Sequence, residues 1–207
     1  MLSRTVTCLL LLLTLNQLSA QFSIGVQGGV NTSTIHFTKE SRDPKARNHY
    51  FAGITTTYEI CDKWSVGLDA QYAVRGVGYN VNGDQNSLGA SRRKNLDFTP
   101  KITCQLFKNL DISMGVYQSF LQRHEIQLGD SNDWLEPFAT YYSKTDVGLS
   151  PELRFHVGRF SLLASGQLGL KKIAAIEFAN ENGETIGDVY EKNRALQIGL
   201  GYRIWGE

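Results

Sequence analysis

DVGLSPELRFHVGRFSLLASGQLGL, residues 146–170, decides the architecture. Val147, Leu149, Pro151, Leu153, Phe155 and Val157 stand on one side of a strict two-residue period, with Asp146, Gly148, Ser150, Glu152, Arg154 and His156 on the other. Gly158 and Arg159 follow as a two-residue turn, and glycine at its first position suits a type II′ hairpin. The return strand sets Phe160, Leu162, Ala164, Gly166, Leu168 and Leu170 against Ser161, Leu163, Ser165, Gln167 and Gly169. The stretch is therefore a β-hairpin with one apolar and one polar face.

Working outward, the same pattern recurs. Strands are predicted over 22–30, 50–60, 64–79, 95–107, 110–121 and 194–205, which with the hairpin makes eight. Cys61 to Lys63, Lys108-Asn109 and Gly158-Arg159 are tight turns. The alternate connections, 31–49, 80–94, 122–145 and 171–193, are long and polar. An even strand number, short turns at one end, long loops at the other, and strands of about 10 alternating residues are the marks of an up-and-down transmembrane barrel. The expected fold is all-β: an eight-stranded antiparallel up-and-down transmembrane β-barrel with short periplasmic turns and four long extracellular loops. Pro100 and Pro151 fall inside strands, where each removes a ladder donor, and bulges are expected there. A soluble secreted β protein would alternate equally well, but its polar residues should face outward water.

On this reading the inward charges are Glu59, Asp69, Arg75, Asp97, Lys101, Asp111, Asp146, Glu152, Arg154 and Arg203. The lumen of an eight-stranded barrel is only wide enough for side chains to fill it. These charges should pair across it as a packed polar plug, because buried charges are tolerated only when paired.

Residues 1–20 read as a signal peptide: Arg4 is basic, Cys8 to Leu15 apolar, and Leu18-Ser19-Ala20 a small-residue cleavage site. Residues 21–207 form the barrel domain. The chain carries 21 basic and 20 acidic residues; loss of Arg4 leaves 20 against 20. That balance argues against a nucleic-acid partner. Cys61 and Cys104 are expected as free thiols, because the alternation points them to opposite faces. No zinc spacing is present, and neither a metal nor a cofactor is expected.

The chain resembles the PorT-like, or porin-family, outer-membrane barrel proteins of Bacteroidetes-type bacteria. The resemblance rests on Ser19-Ala20-Gln21, Pro100 within LDFTPKI, Gly115 to Leu121, Asp146 to Leu149, Gly169-Leu170 and the terminal LQIGLGYRIW. Val116 departs from it, standing where that family often has proline, and so does the ending Gly206-Glu207, where a terminal aromatic is usual. It implies an eight-stranded barrel in the outer membrane of a Gram-negative bacterium and no defined activity.

For function, the residues favour a structural or binding role through the extracellular loops, associated with secretion or adhesion, over a small-solute channel. A soluble binding barrel and a lipid-modifying enzyme rank lower. His36 with Ser33 or Thr38 is the one hint of catalysis and lacks an acid, so no catalytic residue is named. Outer-membrane lipid is the expected environment. A loop basic patch, Lys39, Arg42, Lys45, Arg92, Arg93 and Lys94, suits lipopolysaccharide phosphates or a protein partner, and pairs equally well with acidic residues of the other loops such as Asp130 and Glu184.

Overall fold

The computed structural model describes residues 21–37, 44–80, 88–127, 133–136, 143–179 and 185–206. The expected signal peptide, residues 1–20, lies outside the described residues. Alternation fixes the face of each strand, and the strands close on themselves. In chain order they are β1 (Phe22–Phe37), β2 (Lys45–Cys61), β3 (Trp64–Asn80), β4 (Leu88–Phe107), β5 (Leu110–Gln127), β6 (Thr145–Val157), β7 (Phe160–Gly169), β8 (Ala174–Ala179) and β9 (Thr185–Trp205). Every neighbouring pair is antiparallel, and β1 closes the barrel against β9 from Ile24↔Trp205 to Phe37↔Glu191.

The barrel has eight staves, although the described residues form nine strands. β9 pairs with β7 along its lower half, Phe160↔Tyr202 to Leu168↔Arg194, and with β8 along its upper half, Ala174↔Glu191 to Ala179↔Thr185. The seventh stave is thus β7 and β8, interrupted at residues 170–173.

Sidedness is inverted relative to a soluble barrel. Val26, Ile54, Leu68, Ile102, Met114, Leu153, Leu162 and Leu200, one from each stave, point outward and are exposed. Their strand neighbours Gln27, Thr55, Asp69, Lys101, Ser113, Glu152, Ser161 and Gly201 are buried inside. Two rings of aromatics bound this apolar band. Phe22 with Trp205 and Phe160 with Tyr202 pair at the turn end, with centroids 5.9 and 5.0 Å apart. Tyr50 with Tyr72 and Phe98 with Phe120 pair at the other edge, at 6.4 and 6.1 Å. From Trp64 to Tyr72, at about 3.3 Å per residue and a tilt near 40°, the rise is roughly 20 Å, close to the ~25 Å apolar band of membrane barrels.

The strands run well beyond that band. β4 has 20 residues and β9 has 21, where crossing a bilayer takes about 9–11. The expected long connections are correspondingly shorter: residues 31–37, 45–49, 88–94, 122–127 and 185–193 are strand. Their sequence is mostly polar and lacks an apolar outer face, so no apolar-out alternation marks them, yet the ladder continues. The barrel wall therefore stands above the apolar band as a turret. Arg92, Arg93 and Lys94, expected in a loop, belong to the turret wall of β4, and Lys45 opens β2. Lys39 and Arg42 lie outside the described residues.

The prolines do not make bulges. Register is unchanged across Pro100, with Phe98↔Gln118 and Lys101↔Gly115 on either side, and across Pro151, with Leu149↔Leu168 and Glu152↔Ser165. Each proline keeps its pair on the other flank, Leu68↔Pro100 and Met114↔Pro151. Because a strand residue directs its N–H to one neighbour only, the missing donor opens a gap on that side alone. The hairpin turn is as its sequence suggests in backbone terms, with Gly158 at φ +63° and open space around it. Cys61 and Cys104 are free.

Candidate functional site

The lumen follows from the inward residues of each stave, and it is packed in layers. At mid-height one rung runs Leu163, Gly199, Gly29, Phe51, Ala73 across neighbouring strands. Large residues are set among small ones around it, with Gly199 and Gly29 side by side between Leu163 and Phe51, as a narrow barrel requires. A Cβ on Gly199 would sit 2.8 Å from the Phe51 ring, so the glycine is what lets Phe51 fill the lumen. Phe51, Ala73 and Leu163 make a small apolar cluster inside an otherwise polar interior.

Across from that cluster lies the main charged layer. Arg75 Nε donates to Gln167 Oε1 at 2.9 Å and its Nη1 to Ser119 Oγ at 3.1 Å, while Nη2 bonds Asp97. Its guanidinium also lies over the Tyr117 ring, 5.6 Å from the centroid. Gln71 and Gln167 both donate to Asp97 Oδ2 at 3.4 Å, and Gln71 reaches on to Gln197. Arg75, Asp97, Tyr117, Ser119 and Gln167 are each no more than 1% exposed, so this layer seals the lumen.

Below it, toward the turns, Lys101 Nζ bridges Asp69 at 2.8 Å and Glu152 at 3.1 Å. Arg154 completes the layer, bonding Glu152 at 3.0 Å and donating to Gln27 at 2.6 Å. Lower still, His156 Nε2 and Asp111 Oδ2 meet at 2.8 Å. A cavity of about 410 Å³ then opens toward the turns, lined by Glu59, Lys108, Asp111, His156, Arg159 and Arg203 among others. Glu59 is exposed at its rim and Arg203 half-buried.

Above the seal, Tyr117 donates to Asp146 Oδ2 at 2.9 Å, Asn193 donates to the same oxygen, and Arg93 donates to Asn193. Space here is about 10 Å³. Ser33 Oγ donates to the Gly76 carbonyl at 3.0 Å and accepts from its N–H at 2.7 Å, which commits that hydroxyl to the wall. In the turret, burial and the charge of Arg93 push His124 down to about 4, and burial with Arg47 and Arg92 lowers His49.

The expected interior charges thus divide. Asp69, Arg75, Asp97, Lys101, Asp146, Glu152 and Arg154 are buried and bonded to one another or to amides and hydroxyls; Asp111 meets His156; Glu59 and Arg203 line the vestibule. The expected basic patch is broken by the period of two, because Arg93 points into the lumen while Arg92 and Lys94 point out. A register shift between Lys94 and Asn95 then turns Arg123 of β5 outward beside them.

Outside the turret Glu125 is 4% exposed and gathers three cations: Arg92, Lys94 at 3.0 Å and Arg123 at 3.0 Å. Burial alone would raise its carboxyl, but hydrogen bonds from Arg92 and Lys94 hold it below the usual range. Trp134 stacks on Arg92 at 4.0 Å, and Leu135 pairs with Ile126. Arg123 and Glu125 were hidden in the sequence, since nothing there signals the shift that brings them beside β4.

Among solved structures the chain is similar to several outer-membrane proteins. Ail, the attachment invasion locus protein of Yersinia pestis, solved with the heparin analogue sucrose octasulfate, aligns with TM-score 0.47 and 15% identity over 89% of this chain and 99% of its own. OprG of Pseudomonas aeruginosa aligns with TM-score 0.46 and 16% identity over 91% and 98%. Neisserial surface protein A aligns with TM-score 0.48 and 14% identity over 87% and 97%. No protein-family model matches the chain, and no curated protein is significantly similar to it. The chain is a closed eight-stave antiparallel transmembrane barrel.

Proposed function

We propose that the protein is an outer-membrane barrel of a Gram-negative bacterium that conducts no solute and binds anionic headgroups at its extracellular end, with lipopolysaccharide phosphate as the ligand class. One observation carries the reading: Arg92, Lys94 and Arg123 converge on the carboxylate of Glu125 on the outer wall, and Arg123 also meets the exposed Glu136 at 2.8 Å. In these ion pairs of the described residues three cations meet two acids. The three cations also stand above Leu96, Phe98 and Phe120, from about 5 Å (Lys94) to about 10 Å (Arg92) beyond the apolar edge at about 3.3 Å per residue and the strand tilt, which spans the headgroup layer. Arginine's planar fork matches phosphate oxygens in pairs, so two arginines and a lysine suit that group.

The interior supports the same reading, because the Arg75 layer is buried across the lumen and offers a solute no open path. Kinship with PorT-like barrels is part of the proposal. The segments that suggest it, 96–102, 115–121, 146–149 and 196–205, fall mainly within the membrane-crossing strands, so it bears on fold and address more than on ligand.

Lipopolysaccharide retention by the detergent-purified barrel tests the reading. Wild type is expected to retain it in a salt-sensitive way. Arg92→Gln/Lys94→Gln/Arg123→Gln should weaken retention about tenfold, and Glu125→Gln, which adds net positive charge, should strengthen it. Equal retention by all three proteins, or retention of dephosphorylated lipid as strong as that of the native form, would end the proposal and direct attention to a protein partner.

A further inference from the structure

The turn-end vestibule has a charge balance the plug does not need. Arg75 has Asp97, Lys101 has Asp69 and Glu152, and Arg154 has Glu152. Arg203, Arg159 and Lys108 lie within 4 Å of no carboxylate among the described residues. Arg203 and Arg159 are neighbours, since the Arg203 N–H donates to the Arg159 carbonyl at 2.8 Å. Lys108 comes from the β4–β5 turn. In all, five cations and three carboxylates line a cavity of about 410 Å³, within the ~300–1,000 Å³ span of small-molecule sites. Glu59, the rim acid, is paired with none of the cations.

Arg203 decides between two sources of anion. Lysines and arginines at a membrane edge commonly extend toward lipid headgroups. Arg159 and Lys108, exposed on turns, can do so. Arg203 cannot, because Tyr202 and Ile204 on either side of it point outward while Arg203 lines the cavity. The remaining wall is hydroxyl-rich, with Thr55, Thr57, Ser65 and Ser161 beside the bonded pair Thr103 and Ser113. The Lys101–Glu152–Arg154 layer closes the far end, so a ligand enters and leaves from the turn side.

We infer that this vestibule is a binding site for a small, soluble, hydroxyl-bearing anion of the sugar-phosphate class, taken up from the periplasmic side. Arg203 and Arg159 hold the anionic group as a fork, and the threonine and serine hydroxyls meet those of the ligand. The site is separate from the outer-wall cluster, and neither proposal depends on the other.

The test uses the full folded barrel in non-ionic detergent, with folding checked by the heat-dependent gel shift. Glucose 6-phosphate is titrated calorimetrically, with glucose as the neutral control. Saturable one-to-one binding of glucose 6-phosphate with at least tenfold weaker binding of glucose is expected. Arg203→Gln should weaken the phosphate ligand about tenfold, Arg203→Lys less, and Lys63→Gln, which removes a charge from a turn at the same end but outside the cavity, should leave it unchanged. Absence of binding by folded wild type, or equal loss in Lys63→Gln and Arg203→Gln, would overturn the inference. So would displacement of the probe by phosphatidylglycerol when the barrel is moved into phosphatidylcholine vesicles containing it, because the cations would then serve lipid headgroups.

Discussion

Below the upper aromatic ring the barrel answers to two solvents at once; above it, to one. In the membrane band each strand must be apolar outside and polar inside, so Leu68 and Asp69, or Ile102 and Lys101, are forced apart by the period of two. In the turret water lies outside as well, the outer face carries Thr34, Lys94 and Arg123, and alternation of hydrophobicity disappears while the ladder persists. The difference teaches that the band is constrained by hydrocarbon and packing, and that the turret wall is where surface chemistry is free to vary.

The largest expected effect lies at the seal. Asp97→Ala strands the fully buried Arg75 without its acid, and removing one partner of a buried pair costs about 3–5 kcal/mol. Urea unfolding from micelles should show that loss, and Arg75→Met/Asp97→Ala should recover part of it. Loss in the single variant no greater than in the double would mean that amides alone satisfy Arg75. Next comes the contrast between the two zones. Leu68→Arg puts a charge at mid-band and should cost about 2–4 kcal/mol, whereas Thr34→Arg on the turret's outer face should change stability by about 0.5 kcal/mol or less. Equal costs would erase the boundary drawn at the aromatic ring.

A smaller effect is expected from pH. His124 of the turret titrates near 4 in the folded barrel and near 6.5 when unfolded. Between those values the unfolded chain binds the extra proton, so the stability His124 contributes is complete above about pH 6.5 and is lost as pH falls toward 4. Its ring proton resonances should shift with a midpoint near 4, and acid loosening in that window should be reduced in His124→Gln. A midpoint near 6.5 would place the ring in water.

Much of the band was legible because each of its residues is dictated locally. The hairpin of 146–170 alone fixed sidedness, and Asp69, Lys101, Glu152 and Arg154 follow from counting in twos. What escaped needed two strands at once. The rung Leu163–Gly199–Gly29–Phe51–Ala73 exists only through register, although Leu163 on a polar face was a hint. Gln71, Gln167 and Gln197 are part of the plug through hydrogen bonds across strands, and an uncharged amide carries no mark of such a partner in the sequence. Arg123 reached Lys94 through the shift at Lys94/Asn95, and the turret strands carry no periodic signal that separates them from polar loops. At Pro100 and Pro151 one absent donor interrupts one flank and leaves the register intact, so a mid-strand proline does not by itself signal a bulge.

The central claim is that the lumen is sealed at Arg75 and Asp97 and that the two ends of the barrel carry its function. Single-channel recording of the refolded protein in a planar bilayer tests it most directly. Wild type should give no steady conductance, while Phe51→Ala/Asp97→Ala, which clears both sides of the sealing layer, should give open events. Steady, solute-sensitive conductance from wild type would contradict the account and make the interior charges the lining of a channel.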